Sequence, residues 1–104
     1  MGDFLFAANV DELPEGEKLL VDVDGDMLLL FRVAGEYFCI DDVCTHDGGT
    51  LSDGEYENLE IKCPRHGARF DVLTGNALCM PATQPTARHE VQVEDGRILV
   101  RLSR

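Results

Sequence analysis

C-T-H-D-G-G-T-L-S-D-G-E-Y-E-N-L-E-I-K-C-P-R-H, residues 44–66, carries two short pairs of metal donors. The first pair is Cys44 and His46, the second Cys63 and His66, and sixteen residues, Asp47 to Lys62, separate them. A thiolate and an imidazole on one tight loop can reach a common centre, so both pairs point to metal. Each pair offers sulfur first and nitrogen second. Two similar loops would then place both sulfurs on one metal ion and both nitrogens on another. A single tetrahedral zinc ion is the alternative, in a structural interaction module. Zinc fingers usually group like ligands, two cysteines and then two histidines on a helix, and this chain does neither. A Cys44–Cys63 disulfide would leave the paired histidines without a role.

Outward from this stretch the pattern is that of short strands. Residues 3 to 8 read as a strand, and Asn9-Val10-Asp11-Glu12 as a capping box opening one helical turn, limited by Pro14 and Gly16. Lys18 to Val23 and Met27 to Val33 flank Asp24-Gly25, a favoured hairpin turn. The run Met27-Leu28-Leu29-Leu30-Phe31 has no polar alternation, which predicts a strand covered on both faces. Ala34-Gly35-Glu36 turns the chain into Tyr37-Phe38-Cys39-Ile40, which leads to the first donor loop. Between the pairs, Ser52-Asp53-Gly54 marks a turn and Leu59-Glu60-Ile61-Lys62 a strand entering Cys63. Ala68 to Val72 and Asn76 to Cys79 flank the turn Thr74-Gly75. Pro81 to Pro85 has no regular period; Glu90 to Glu94 and Ile98 to Leu102 flank Asp95-Gly96. Many short strands with turns every eight to twelve residues predict an all-β sandwich or barrel.

Composition narrows the function. A chain of 104 residues with no linker-like stretch reads as one domain. The start, Met1-Gly2-Asp3-Phe4, lacks a basic, then apolar, leader, and no apolar run spans a bilayer, which places the protein in the cytoplasm, with no membrane role. A net charge of −11 argues against nucleic acid or anionic lipid and for a basic protein partner. The charge is uneven, −14 over residues 1–60 and +3 over 61–104. No nucleophile elbow, phosphate loop or dinucleotide fingerprint is present, so no catalytic residue is assigned. Cys39 and Cys79 read as buried thiols without chemistry, and His89, on a face with Val91 and Val93, as a core-edge histidine.

With Gly48, Gly67, Phe70-Asp71 and Thr74-Gly75 around them, the donor pairs give a stretch that resembles the Rieske-type 2Fe-2S ferredoxins of bacterial aromatic-ring-hydroxylating dioxygenase systems. The resemblance covers nearly the whole chain. It implies a Rieske-type fold of three antiparallel sheets, a single domain over 1–104 with a cluster-binding part of about 43–82, formed by two loops, inserted in a β base. It also implies one 2Fe-2S cluster, with Cys44 and Cys63 on one iron and the Nδ1 atoms of His46 and His66 on the other. The Pro81 to Pro85 segment looks like the family's third loop over the cluster. The implied role is that of a monomeric one-electron carrier between a flavin-containing reductase and a terminal oxygenase. The small subunit of an assimilatory nitrite reductase looks similar and is the alternative within electron transfer.

The mixed donor set has a physical logic. Two thiolates cancel the formal +2 charge of a ferric pair with two bridging sulfides, and neutral imidazoles leave it unchanged, so an electron enters more easily than at an all-cysteine site. Gly48 and Gly67 are expected to aim backbone N–H groups at the sulfurs. The Rieske proteins of cytochrome bc complexes carry a further cysteine in each loop and two hydroxyl donors. Here the matching positions are Gly49 and Arg65, and Ala68 and Phe70.

Overall fold

A computed structural model describes residues 3–103. Met1 and Gly2, half of the start read above for a missing leader, lie outside the described residues. Nine strands, all paired antiparallel, and a single 3-10 turn are found among the described residues. β1 (Leu5–Asn9) leads into the turn Val10–Glu12, where the Asn9 N–H donates to the Glu12 carboxylate at 2.7 Å, as a capping box requires. β2 (Lys18–Val23), β3 (Asp26–Val33) and β4 (Glu36–Asp41) form a meander. β5 (Tyr56–Glu57), β6 (Glu60–Lys62) and β7 (Arg69–Asp71) form a small separate sheet. β8 (Arg88–Glu94) and β9 (Arg97–Arg101) close the chain as a hairpin.

The larger assembly runs β1-β9-β8-β4-β3-β2. Its two halves meet at a short seam, where β4 and β8 pair only through Cys39–His89 and Ile40–Arg88. With the β5-β6-β7 sheet this makes the three expected antiparallel sheets.

The unbroken apolar run on β3 explains how the layers stack. Successive side chains on a strand point to opposite faces. Leu28 and Leu30 pack with Leu13, Cys39, Ile98 and Val100 on one side, while Leu29 and Phe31 pack with Ile40, Leu51, Ile61 and Phe70 on the other. All four β3 residues are buried, each contributing about 2 kcal/mol of apolar burial. The second of these cores also contains Cys44 and Cys63, so the donor loops stand directly on the packed face of β3.

Two-residue turns with both residues at positive φ join the hairpins at Asp24-Gly25, Ala34-Gly35 and Asp95-Gly96. That backbone matches the strand twist. A fourth such turn corrects the strand expected at 59–62: Asn58 (φ 53°) and Leu59 (φ 63°) form the turn, and the strand starts at Glu60. Its signal was hidden because leucine, not glycine, holds the second position. The hairpin expected around Thr74-Gly75 is also shorter than read. Arg69–Asp71 is a strand, but its return is one bridge, Phe70 to Ala77. The chain turns early because the Asp71 carboxylate accepts the Leu73 N–H (2.8 Å) and the Asp71 carbonyl accepts the Gly75 N–H (2.7 Å).

Candidate metal centre

The two donor loops are built alike. In the first, the Cys44 N–H donates to the Gly49 carbonyl and the Gly48 N–H returns to the Cys44 carbonyl, both at 2.7 Å. In the second, the Cys63 N–H donates to the Ala68 carbonyl at 2.7 Å and the Gly67 N–H returns to the Cys63 carbonyl at 3.1 Å. Each loop is therefore one closed turn with cysteine at its start and, four residues on, a glycine in the left-handed region (φ 75° and 78°). Gly48 and Gly67 thus do not aim their N–H groups at the sulfurs, as expected from sequence. Those groups are committed to closing the turns, and it is the positive φ that calls for glycine. The N–H groups that favour the thiolates are those of His46 and Asp47 for Cys44, and of Arg65 and His66 for Cys63.

Cys44 and Cys63 are fully buried, whereas His46 and His66 are exposed. The imidazoles meet edge to face, with ring centroids 5.2 Å apart and planes at 88°. Sulfur lies inside and nitrogen outside, in both loops. The two thiols influence each other: burial raises both, and it prevails at Cys44. At Cys63 the N–H groups of Arg65 and His66, then the Cys44 thiol, outweigh burial and leave the thiol below the ordinary cysteine range, suited to a metal-bound thiolate.

The acceptor atoms within 4.8 Å of one another are those of Cys44, Cys63 and, unexpectedly, Asp47. Asp47 is not free to ligate. Its carboxylate accepts from Arg65 Nε (2.6 Å) and Nη2 (3.2 Å) and from the Gly49 N–H (2.9 Å). These bonds, the Arg65 guanidinium first, hold its carboxyl well below the usual carboxylate range. A single zinc ion needs its four donors on a tetrahedron with edges of roughly 3.3 to 3.8 Å. The two sulfurs lie together on the buried side and the two imidazoles, 5.2 Å apart, on the exposed side, an arrangement of paired sulfurs and paired nitrogens. The donor set fits a 2Fe-2S cluster better than zinc.

The 79–84 segment covers both loops. The Cys79 thiol donates to the Gly67 carbonyl at 3.7 Å, and the Thr45 hydroxyl donates to the Gln84 carbonyl at 2.6 Å. Ala82 is buried in the core beneath, and Met80 stands 74% exposed at the rim. Cys79, expected to be a buried thiol, is exposed, because the bridge at Ala77 ends before it. Cys39 is buried as expected, and desolvation, then the Asp41 carboxylate, pushes its thiol up to about 12.

Three acidic side chains that the sequence reading passed over support the site. Asp42 is buried and accepts from the N–H groups of Leu51 and Ser52, both at 2.7 Å, and from the Ser52 hydroxyl at 3.1 Å. It ties the entry of the first loop to its exit. Asp41 binds His89 Nε2 at 2.7 Å across the β4–β8 seam, while His89 Nδ1 accepts the Ser103 N–H at 3.0 Å. The third is Asp47. The run Asp41-Asp42 ahead of Cys44 was the available signal, since aspartate beside a turn often caps backbone N–H groups.

The Rieske [2Fe-2S] domain model matches residues 3–95. The chain belongs to the Rieske [2Fe-2S] family. Its cofactor is one Rieske-type 2Fe-2S cluster. This Rieske chain is similar to the ferredoxin component of the naphthalene 1,2-dioxygenase system of Pseudomonas aeruginosa, 47% identical over 92 residues that cover 88% of each chain. Among solved structures it resembles the ferredoxin of carbazole 1,9a-dioxygenase from Nocardioides aromaticivorans, with a TM-score of 0.89 and 33% identity over 98% of this chain and 100% of that one. A second match, in a complex of reduced oxygenase and oxidized ferredoxin of carbazole 1,9a-dioxygenase, has a TM-score of 0.84 and 32% identity over 93% and 91%.

Proposed function

We propose that this Rieske protein is a ferredoxin that carries single electrons from a flavin-containing reductase to the terminal oxygenase of an aromatic-ring-hydroxylating dioxygenase. The observation that carries the reading is the pair of exposed imidazoles, edge to face, beside two buried thiols. In this reading Cys44 and Cys63 hold the inner iron and His46 and His66 the outer one. When bound, the cluster supplies a one-electron centre. The protein's part is to shield the sulfur side with the core of Phe31, Phe70 and Leu51, and to present the histidine side to partners. In this reading, chemistry on an organic substrate falls to the oxygenase. The relative seen with a reduced oxygenase supports this division. No described helix is long and apolar enough to cross a membrane. We place the protein in the cytoplasm as a monomer, with 1–104 as one domain and about 43–82 as its cluster-binding part.

The net charge of −11 predicts that docking uses a basic surface on the partner. Second-order electron-transfer rates with reductase and oxygenase, followed by stopped flow, should fall as salt rises from about 20 to 500 mM. Rates that stay level would mean that apolar contacts alone, such as those of Leu78 and Met80, govern docking. No transfer to any oxygenase would overturn the carrier reading. Arg65, beside His66, is engaged within the protein, its guanidinium binding Asp47 and the Thr50 carbonyl.

A further inference from the structure

We propose that Arg65 and Asp47 clamp the two donor loops together and keep the Asp47 carboxylate off the metal. The inference rests on the ligand assignment proposed above. Asp47 directly follows His46 and Arg65 directly precedes His66, so the partners belong to different loops. The guanidinium reaches the carboxylate through two nitrogens, Nε at 2.6 Å and Nη2 at 3.2 Å, and the same Nη2 donates to the Thr50 carbonyl at 2.9 Å. One side chain of the second loop thus holds the first loop at two points. The fork geometry makes this more than a point charge at the surface.

Gly49 makes room for the clamp. A Cβ built there would collide with the Arg65 guanidinium, so the clamp keeps this position only beside glycine. The Gly49 N–H also holds the carboxylate, donating to Oδ1 at 2.9 Å. The second half of the proposal follows from position. An Asp47 oxygen lies within 4.8 Å of both donor sulfurs, and Oδ2 is 3.7 Å from His66 Nδ1. A hard oxygen this close to the donor sulfur and nitrogen atoms would compete with imidazole for bound iron unless its lone pairs were occupied. Arg65 occupies them and cancels the charge. Asp47 and Arg65 are positioning residues in this account.

The test uses holoprotein and two readouts, the rate of cluster loss to a chelator and the midpoint potential by voltammetry. Arg65→Gln should lose the cluster about fivefold faster, the upper range for a well-formed exposed pair, and should have a lower potential because Asp47 is left uncompensated. Asp47→Asn should raise the potential. The double variant should return it toward the wild type and lose the cluster no faster than Arg65→Gln, since both changes remove one interaction. Gly49→Ala keeps both charges but pushes the guanidinium aside, and should also speed cluster loss. Arg65→Lys keeps the charge without the fork; it should hold the potential but not the retention, and it serves if Arg65→Gln does not fold. Wild-type rates in both Arg65→Gln and Gly49→Ala, or single effects that multiply in the double variant, would overturn the clamp alone. A wild-type protein that binds no iron would overturn the ligand assignment and the clamp with it.

Discussion

Replacing His46 or His66 by alanine should strip the protein of its cluster, taking iron from about two per chain to near none, while the β fold survives. The two effects separate because of where the histidines sit. His66 has a side chain 56% exposed, and His46 is likewise outside both cores, so neither truncation opens a cavity. The fold depends instead on the cores packed on both faces of β3, to which neither histidine belongs. Far-ultraviolet circular dichroism and iron analysis on the same sample check both parts. His66→Cys is a different case, because a thiolate in that place can hold iron but adds negative charge, so a cluster should form at a lower potential. A wild-type visible spectrum in His46→Ala would remove His46 from the ligand set.

The midpoint potential should lie near the low end of the Rieske range, roughly −150 mV, instead of several hundred millivolts higher. Ala68 and Phe70, both fully buried, stand where the Rieske proteins of cytochrome bc complexes carry hydroxyl donors, and neither offers a hydrogen bond to sulfur. The Gly48 and Gly67 N–H groups do not replace them, since they close the turns onto Cys44 and Cys63. Fewer donors leave more negative charge on the sulfurs and disfavour the added electron. The net charge of −11 acts in the same direction. A low potential suits an electron taken from a flavin and passed to an oxygenase. Protein-film voltammetry would decide it, and a midpoint above about +100 mV would mean that other donors compensate.

The strand framework was legible because its signals are local. Asp24-Gly25 and Asp95-Gly96 name their turn type directly, and Leu28 to Phe31 announces a strand covered on both faces. The four candidate ligands were proposed from spacing; the structure sets the Cys44 and Cys63 sulfurs within one 4.8 Å group and the His46 and His66 rings 5.2 Å apart. What escaped depends on tertiary geometry. Leu59 takes a positive φ that no propensity scale assigns to leucine, and it does so because Glu57 and Glu60 are paired on either side. Gly48 and Gly67 were read as donors to sulfur, yet their positive φ and their N–H bonds to the Cys44 and Cys63 carbonyls make them turn-closing residues. Asp47 and Arg65 are eighteen residues apart, and no sequence period connects them. Cys79 looked buried because it ends an apolar stretch, although the bridge at Ala77 leaves it outside.

The central claim is that Cys44, His46, Cys63 and His66 hold one 2Fe-2S cluster. Iron, zinc and acid-labile sulfide counted on the purified wild-type chain test it most directly. The account predicts a brown-red protein with about two irons and two sulfides per chain. A colourless protein with one zinc ion and no labile sulfide would contradict it.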